Sequence, residues 1–202
     1  MTSHRPSRLG DADVILVLDA SVVINFLGTG NAAILIRALG RKCVAERTAW
    51  REITRDPLTG RTATEPLKAL MSAGLLERQE MRTDATAIFL DLALAQPPDG
   101  LGDGESATLA HAVASGASAV IDEKKAIRIA AAKLPQLRIL STLDLLSCSS
   151  VTSAVGPAIL ADAVFSALTY ARMGVPIEYR KWVLDLIGKD RAAKCPSLGR
   201  TP

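Results

Sequence analysis

Cysteine and histidine are too sparse in this chain to build a zinc site or a disulfide framework. Cys43, Cys148 and Cys195 are odd in number, lie far apart and form no Cys-x-x-Cys pair, and the two histidines are His4 and His111. Aromatic residues make up 3% of the sequence. A platform on which successive bases stack is therefore hard to assemble, and any nucleic-acid contact would fall mainly on the backbone. Charge of one sign is not in large excess either. Lys plus Arg number 24 against 21 Asp plus Glu, a net charge of +3, which permits RNA or DNA as a partner without identifying one. The opening MTSHRPSRLGDAD has no apolar core of a secretory signal, and Asp19, Asn25 or Asp162 interrupts the longest apolar stretches. No membrane-spanning helix is expected, and the setting that follows is a reducing cytoplasm.

What is present is apolar substance: 49% of 202 residues, enough for one sizeable core and for one domain with an appendage. Residues 1–12 read as a flexible arm, since Pro6, Gly10 and their polar neighbours leave nothing periodic to bury. VILVL at 14–18 is an unbroken apolar run of strand length, suited to the centre of a parallel sheet. Asp19 and Asn31 can cap the two short helices expected after it. KCVA at 42–45, LLERQEM, SAVI and LRIL supply further extended segments. Helical spacing at 65–73, 84–95, 105–115 and 124–133 supplies the covering layers. Alternation of strand and helix through residue 147 predicts an α/β fold: a three-layer α/β/α domain over 13–147 with a central parallel sheet. SCSSVTSAVG, through 148–156, reads as a linker. A helical C-terminal extension of two helices follows at 157–188, and 189–202 reads as a flexible tail.

In such a sheet functional groups gather at the carboxyl ends of the strands. Asp19 follows VILVL directly and Asp122 follows AVI directly, while Glu52 lies in the helix after the second strand and Glu105 opens the helix after the loop QPPDGLGDG. Each alone has an ordinary role open to it, as a cap, a first-turn charge or a solvated side chain. Together they would crowd four carboxylates, and two such charges about 4 Å apart repel by roughly 4 kcal/mol at an effective dielectric near 20. A divalent cation relieves that repulsion. An all-oxygen set suits Mg²⁺ or Mn²⁺ and phosphodiester hydrolysis. His111 is not needed as a base in such chemistry.

The stretches VLDASVVINFL, WREI, LGDGESATLAHA and VIDEKKAIRIA, in this order, resemble the successive signatures of PIN-domain proteins, particularly the branch related to VapC-type toxin ribonucleases of toxin–antitoxin systems. The ending YARMGVPIEYRKWVLDLIG is similar to that branch as well, so the likeness spans about residues 13–188. The resemblance implies metal-dependent cleavage of single-stranded RNA. It puts Asp19, Glu52, Glu105 and Asp122 in the acidic positions as catalytic residues and metal ligands, with Ser21 supporting the first. Glu123 adjoins Asp122 and could assist or replace it. The branch usually carries an arginine five residues after the fourth acid, where this chain has Ile127 followed by Arg128.

Phosphate contacts are expected from Lys124, Lys125 and Arg128, and from Arg5 and Arg8 in the arm. The expected partners are RNA, an antitoxin-like inhibitor protein and a second copy of the chain. Two rival readings remain: a PIN-like module that binds RNA or protein without catalysis, and a dinucleotide-binding oxidoreductase. The second rests on GTGNAA at 28–33 and needs VVINFL to be the strand that leads into Gly28.

Overall fold

The computed structural model describes residues 7–198. Five strands form one wholly parallel sheet: β1 (Ile15–Leu18), β2 (Lys42–Glu46), β3 (Glu77–Gln79), β4 (Ser118–Val120) and β5 (Ile139–Leu140), in the order β3-β2-β1-β4-β5. The strands are apolar on both faces because both faces are covered. On β1, Leu16 and Leu18 enter one core cluster and Val17 enters the other. Cys43 and Ala45 oppose Val44 on β2 in the same way.

The smaller core is closed by α5 (Thr86–Ala93), α6 (Asp103–Ser115) and α7 (Lys124–Lys133). The larger lies under α1 (Ala20–Gly28), α2 (Ala32–Leu39), α3 (Arg47–Glu52), α4 (Thr64–Ser72), α8 (Thr142–Leu146), α9 (Ser149–Tyr170), α10 (Arg180–Ile187) and α11 (Lys189–Ala192). This is the three-layer α/β/α arrangement expected from the alternation of elements. Every connection between neighbouring parallel strands carries helix, as crossover geometry requires.

The chain departs from expectation at both ends. Residues 148–156 are not a linker. Helix α9 begins at Ser149, and Val151 and Val155, one turn apart, are buried in the larger core. Gly156 (φ 73°, ψ 167°) and Pro157 break this helix. Glycine tolerates the positive φ, and proline opens the following segment because it has no N–H to bond backwards.

By length and composition α9 is the one helix among the described residues apolar enough to cross a membrane, with a mean hydropathy of 1.6. It nonetheless buries Leu160, Ala163, Val164, Ala167 and Leu168 in the protein core. Asp162, expected to interrupt the stretch, pairs with Arg191 at 2.7 Å.

The tail does not fray within the described residues: α11 and a 3₁₀ turn at Pro196–Leu198 bury Cys195 and Leu198. Residues 7–12 of the arm are anchored too. The Ser7 hydroxyl donates to the Asp144 carbonyl at 2.5 Å, and Arg8 binds the Asp144 carboxylate. Arg8 is therefore committed to an ion pair and is not poised for substrate. Arg5 lies outside the described residues.

The dinucleotide-binding alternative is corrected by the same geometry. VVINFL is helical, inside α1, and Gly28 ends that helix instead of following a strand. A Cβ on Gly28 would sit 2.6 Å from that of Ala171, so this glycine permits close packing of α1 on the end of α9. Gly30, at φ 70°, turns the chain into α2.

Candidate active site

Asp19 follows β1 directly and its amide donates to the Val120 carbonyl of β4 at 3.0 Å, which pins it at the carboxyl edge of the central strands. Its two oxygens do different things. Oδ2 caps α1, accepting from the Ser21 amide at 3.1 Å and the Ser21 hydroxyl at 2.6 Å. Oδ1 is buried and has no hydrogen-bond partner. Capping and an open oxygen coexist in one carboxylate, so the ordinary reading of Asp19 as a cap covers half of it. An unpaired buried oxygen is costly and requires an explanation.

Asp122 lies two residues beyond β4 and is held by groups that sequence reasoning did not single out. Oδ1 accepts from the Thr142 amide at 2.9 Å. Oδ2 accepts from the Thr142 hydroxyl at 2.5 Å and the Asn25 amide nitrogen at 2.9 Å. Burial pushes the Asp122 carboxyl up, the Thr142 and Asn25 bonds oppose that, and the Asp19 charge adds to it. A signal for both partners was present. Asn25 sits four residues after Ser21, on the same helical face, and Thr142 lies two residues beyond β5 as Asp122 lies two beyond β4. Neither side chain is ionisable, so the charge pattern of the sequence does not mark them.

Glu52 ends α3 and Glu105 stands in the first turn of α6. Glu52 accepts from the Gly104 amide, and Glu105 reaches back to the Gly102 amide at 3.1 Å. Both carboxylates thus meet free N–H groups at the start of α6, where a helix favours negative charge. A Cβ on Gly104 would fall 2.3 Å from Glu52 Oε1, so glycine there makes room for the carboxylate. Gly104 is a further position whose role was not singled out. Desolvation raises both glutamates and the Asp19 charge raises them further, while the N–H bonds partly offset this. Asp19 is therefore the acid whose field reaches the other three.

All four acids line one open cleft of about 760 Å³, together with Ser21, Asn25 and Glu123. Glu123 is exposed and caps α7 by accepting from the Lys125 amide at 3.2 Å, whereas Asp122 is held by Asn25 and Thr142. Of the expected phosphate contacts, Lys125 lines the cleft and its ammonium donates to the Gly100 carbonyl. Arg128 is paired with Asp99 at 3.1 Å, away from the cleft lining, and Lys124 is exposed outside it. A second cation in the lining, Arg172, was not anticipated, and it comes from the segment after α9. His111 lies elsewhere, its Nε2 2.9 Å from Gln79 Oε1, with burial lowering its pKa.

The donor chemistry fits a hard divalent ion: carboxylate oxygens, one of them buried without a partner, with neither cysteine nor histidine in the lining and the Met173 thioether its one sulfur. As they stand, no three His, Cys, Asp or Glu side chains among the described residues are grouped closely enough to enclose an ion. The acids share a cleft without converging on one point.

No curated protein is similar enough to match the chain. A family model described as a PIN domain, DUF3368, matches residues 15–161, which takes in all five strands and all four acids and ends within α9. PIN domains are in general nucleases. With that match over most of its length and a parallel five-stranded α/β/α fold beneath it, the chain belongs to the PIN-domain family.

Proposed function

We propose that this PIN domain is an endoribonuclease dependent on Mg²⁺ or Mn²⁺, of the VapC-related branch, and that it is the toxin of a toxin–antitoxin pair in a reducing cytoplasm. The observation that carries the reading is the free buried oxygen of Asp19 among Glu52, Glu105 and Asp122 in one open cleft. Asp19, Glu52, Glu105 and Asp122 would hold the ion. When bound, it would neutralise their repulsion and supply Lewis-acid activation of water and stabilisation of the leaving oxygen.

The chain's own groups prepare that arrangement. Ser21 fixes the rotation of Asp19 through Oδ2 and leaves Oδ1 unbonded, and Asn25 with Thr142 fixes the rotation of Asp122. The amides of Gly102 and Gly104 hold Glu105 and Glu52. The scarcity of aromatic side chains supports recognition of the strand through its backbone. The order of the four acidic motifs and the two-helix ending supports the toxin branch. For an antitoxin-like partner or a second copy of the chain, the exposed Tyr170 and Ile177, which flank the cleft-lining segment 171–174, are the surface offered.

The test is cleavage of single-stranded RNA and DNA by wild type and Asp19→Asn, each with chelator, Mg²⁺ or Mn²⁺. RNA cleavage by wild type that is abolished by chelator and by Asp19→Asn is the expected outcome. Binding of RNA with no cleavage under any condition would establish the non-catalytic alternative.

A further inference from the structure

Arg172 is the one non-glycine residue with positive φ among the described residues, at φ 55°. It follows the end of α9, a position where a left-handed residue ends a helix and where glycine is the usual choice, because a Cβ crowds the backbone there. Gly174 lies two residues away, so the segment already contains a glycine that is not used for this turn. Arg172 lines the cleft with the four acids, is exposed, and its side chain makes no hydrogen bond or ion pair with any described residue. Backbone strain held at the mouth of a site is a lead to function. Lys125, the other cation in the lining, is already bonded to the Gly100 carbonyl. A phosphodiester strand approaching Asp19, Glu52, Glu105, Asp122 and Glu123 is repelled unless positive charge meets it.

We infer that Arg172 binds a backbone phosphate of the nucleic-acid strand that occupies this cleft, and that the strained turn after α9 is kept in order to aim it. The inference rests on the nuclease reading above. It adds a specific contact, supplied by a segment outside the family match at 15–161. Arg172 is a substrate-positioning residue on this account: it sets where the strand lies, and the acids act on it.

Three substitutions separate charge from backbone. Arg172→Gly removes both the charge and the strain, Arg172→Gln removes the charge and keeps the strain, and Arg172→Lys keeps a charge. With single-stranded RNA and Mn²⁺, the Gly and Gln variants should raise KM on the order of tenfold with kcat changed much less. The dependence of log affinity on log salt should become shallower by about 0.7, the contribution of one phosphate contact on a single strand. The Lys variant should recover part of the affinity, and Arg172→Gly should melt no lower than wild type. If wild type cleaves, Asp19→Asn does not, and Arg172→Gln keeps wild-type KM and salt dependence, then Arg172 does not bind phosphate and the nuclease reading stands. If wild type neither binds nor cleaves RNA or DNA, the contact and the nuclease reading fall together.

Discussion

Asp144 shows how much one buried carboxylate can organise. It is fully buried and accepts from the Ser141 amide at 2.8 Å, the Ser141 hydroxyl at 2.7 Å, the Arg8 guanidinium at 2.7 and 3.0 Å, and the Tyr179 hydroxyl at 2.5 Å. It ties the start of the described chain and the C-terminal helices to the sheet. Burial alone would raise its pKa, but the bonds from Arg8, Tyr179 and Ser141 outweigh burial and hold it at about 2 against an ordinary 3.8. A carboxyl depressed in the folded state stabilises that state above its unfolded pKa, and the stabilisation is lost as pH falls through the folded pKa. The network therefore contributes about 2 kcal/mol above pH 4. That contribution disappears between pH 4 and pH 2. Asp144→Asn leaves the Arg8 charge without its counter-ion and should lower the melting temperature at neutral pH by on the order of 10 °C. It should also flatten acid unfolding in that window, and a variant whose melting temperature falls with acid as steeply as that of wild type would show that Asp144 is not the group titrating. Nothing in LDLL around Asp144 announces this role, because Arg8 and Tyr179 lie 136 and 35 residues away and Ser141 alone is near in sequence.

At the scale of elements, what could be read in advance was what local pattern determines. The runs VILVL and SAVI had to be strands covered on both sides, and acids placed just after them had to reach one edge, since side chains that follow parallel strands gather there. What could not be read was tertiary compensation. The 148–156 stretch, rich in small residues, reads as a tether until Val151 and Val155 are seen to meet the core. Residues 7–12 read as free until Asp144 is placed beside them. The start of α6 combines both kinds of information. LGDGES was legible as a loop leading into an acidic first turn, but the need for Gly104 appears once α3 brings Glu52 against it. Gly104→Ala inserts a methyl group where the Glu52 carboxylate lies. A flexible side chain yields before helical backbone does, and alanine is a better helix former than glycine, so stability should change by less than about 1 kcal/mol. Displacing an acid by about 1 Å is a different matter for catalysis, and the predicted loss is about a hundredfold in kcat. A Gly104→Ala protein with full nuclease activity would mean that Glu52 does not act from the position seen.

Across the whole molecule the four acids of the proposed site carry a cost in stability. Desolvation and the Asp19 charge raise Glu52, Glu105 and Asp122, so the protein without an ion carries repulsion that it could shed. Asp19 is the residue to alter, because Asp19→Asn keeps an oxygen to cap α1 while removing the charge felt by the other three. Asp122→Asn would serve less well, since it could turn an amide nitrogen toward the donors of Asn25 or Thr142. In chelator, Asp19→Asn should therefore melt at or above the wild-type temperature, as expected where a site is maintained at the expense of stability. With a divalent ion the order should reverse. An ion that binds the folded state alone stabilises it by RT ln(1 + [L]/Kd), roughly 1.4 kcal/mol at tenfold above Kd. For a domain of this size that is a rise of roughly 3 to 6 °C. Wild type should gain it and Asp19→Asn should not, so the two melting curves, ordered one way in chelator, cross when Mg²⁺ or Mn²⁺ is added. Equal shifts in both proteins would place the ions elsewhere on the surface, and a stabilised variant with no shift in wild type would leave the cleft as a strained acidic pocket that does not bind divalent metal.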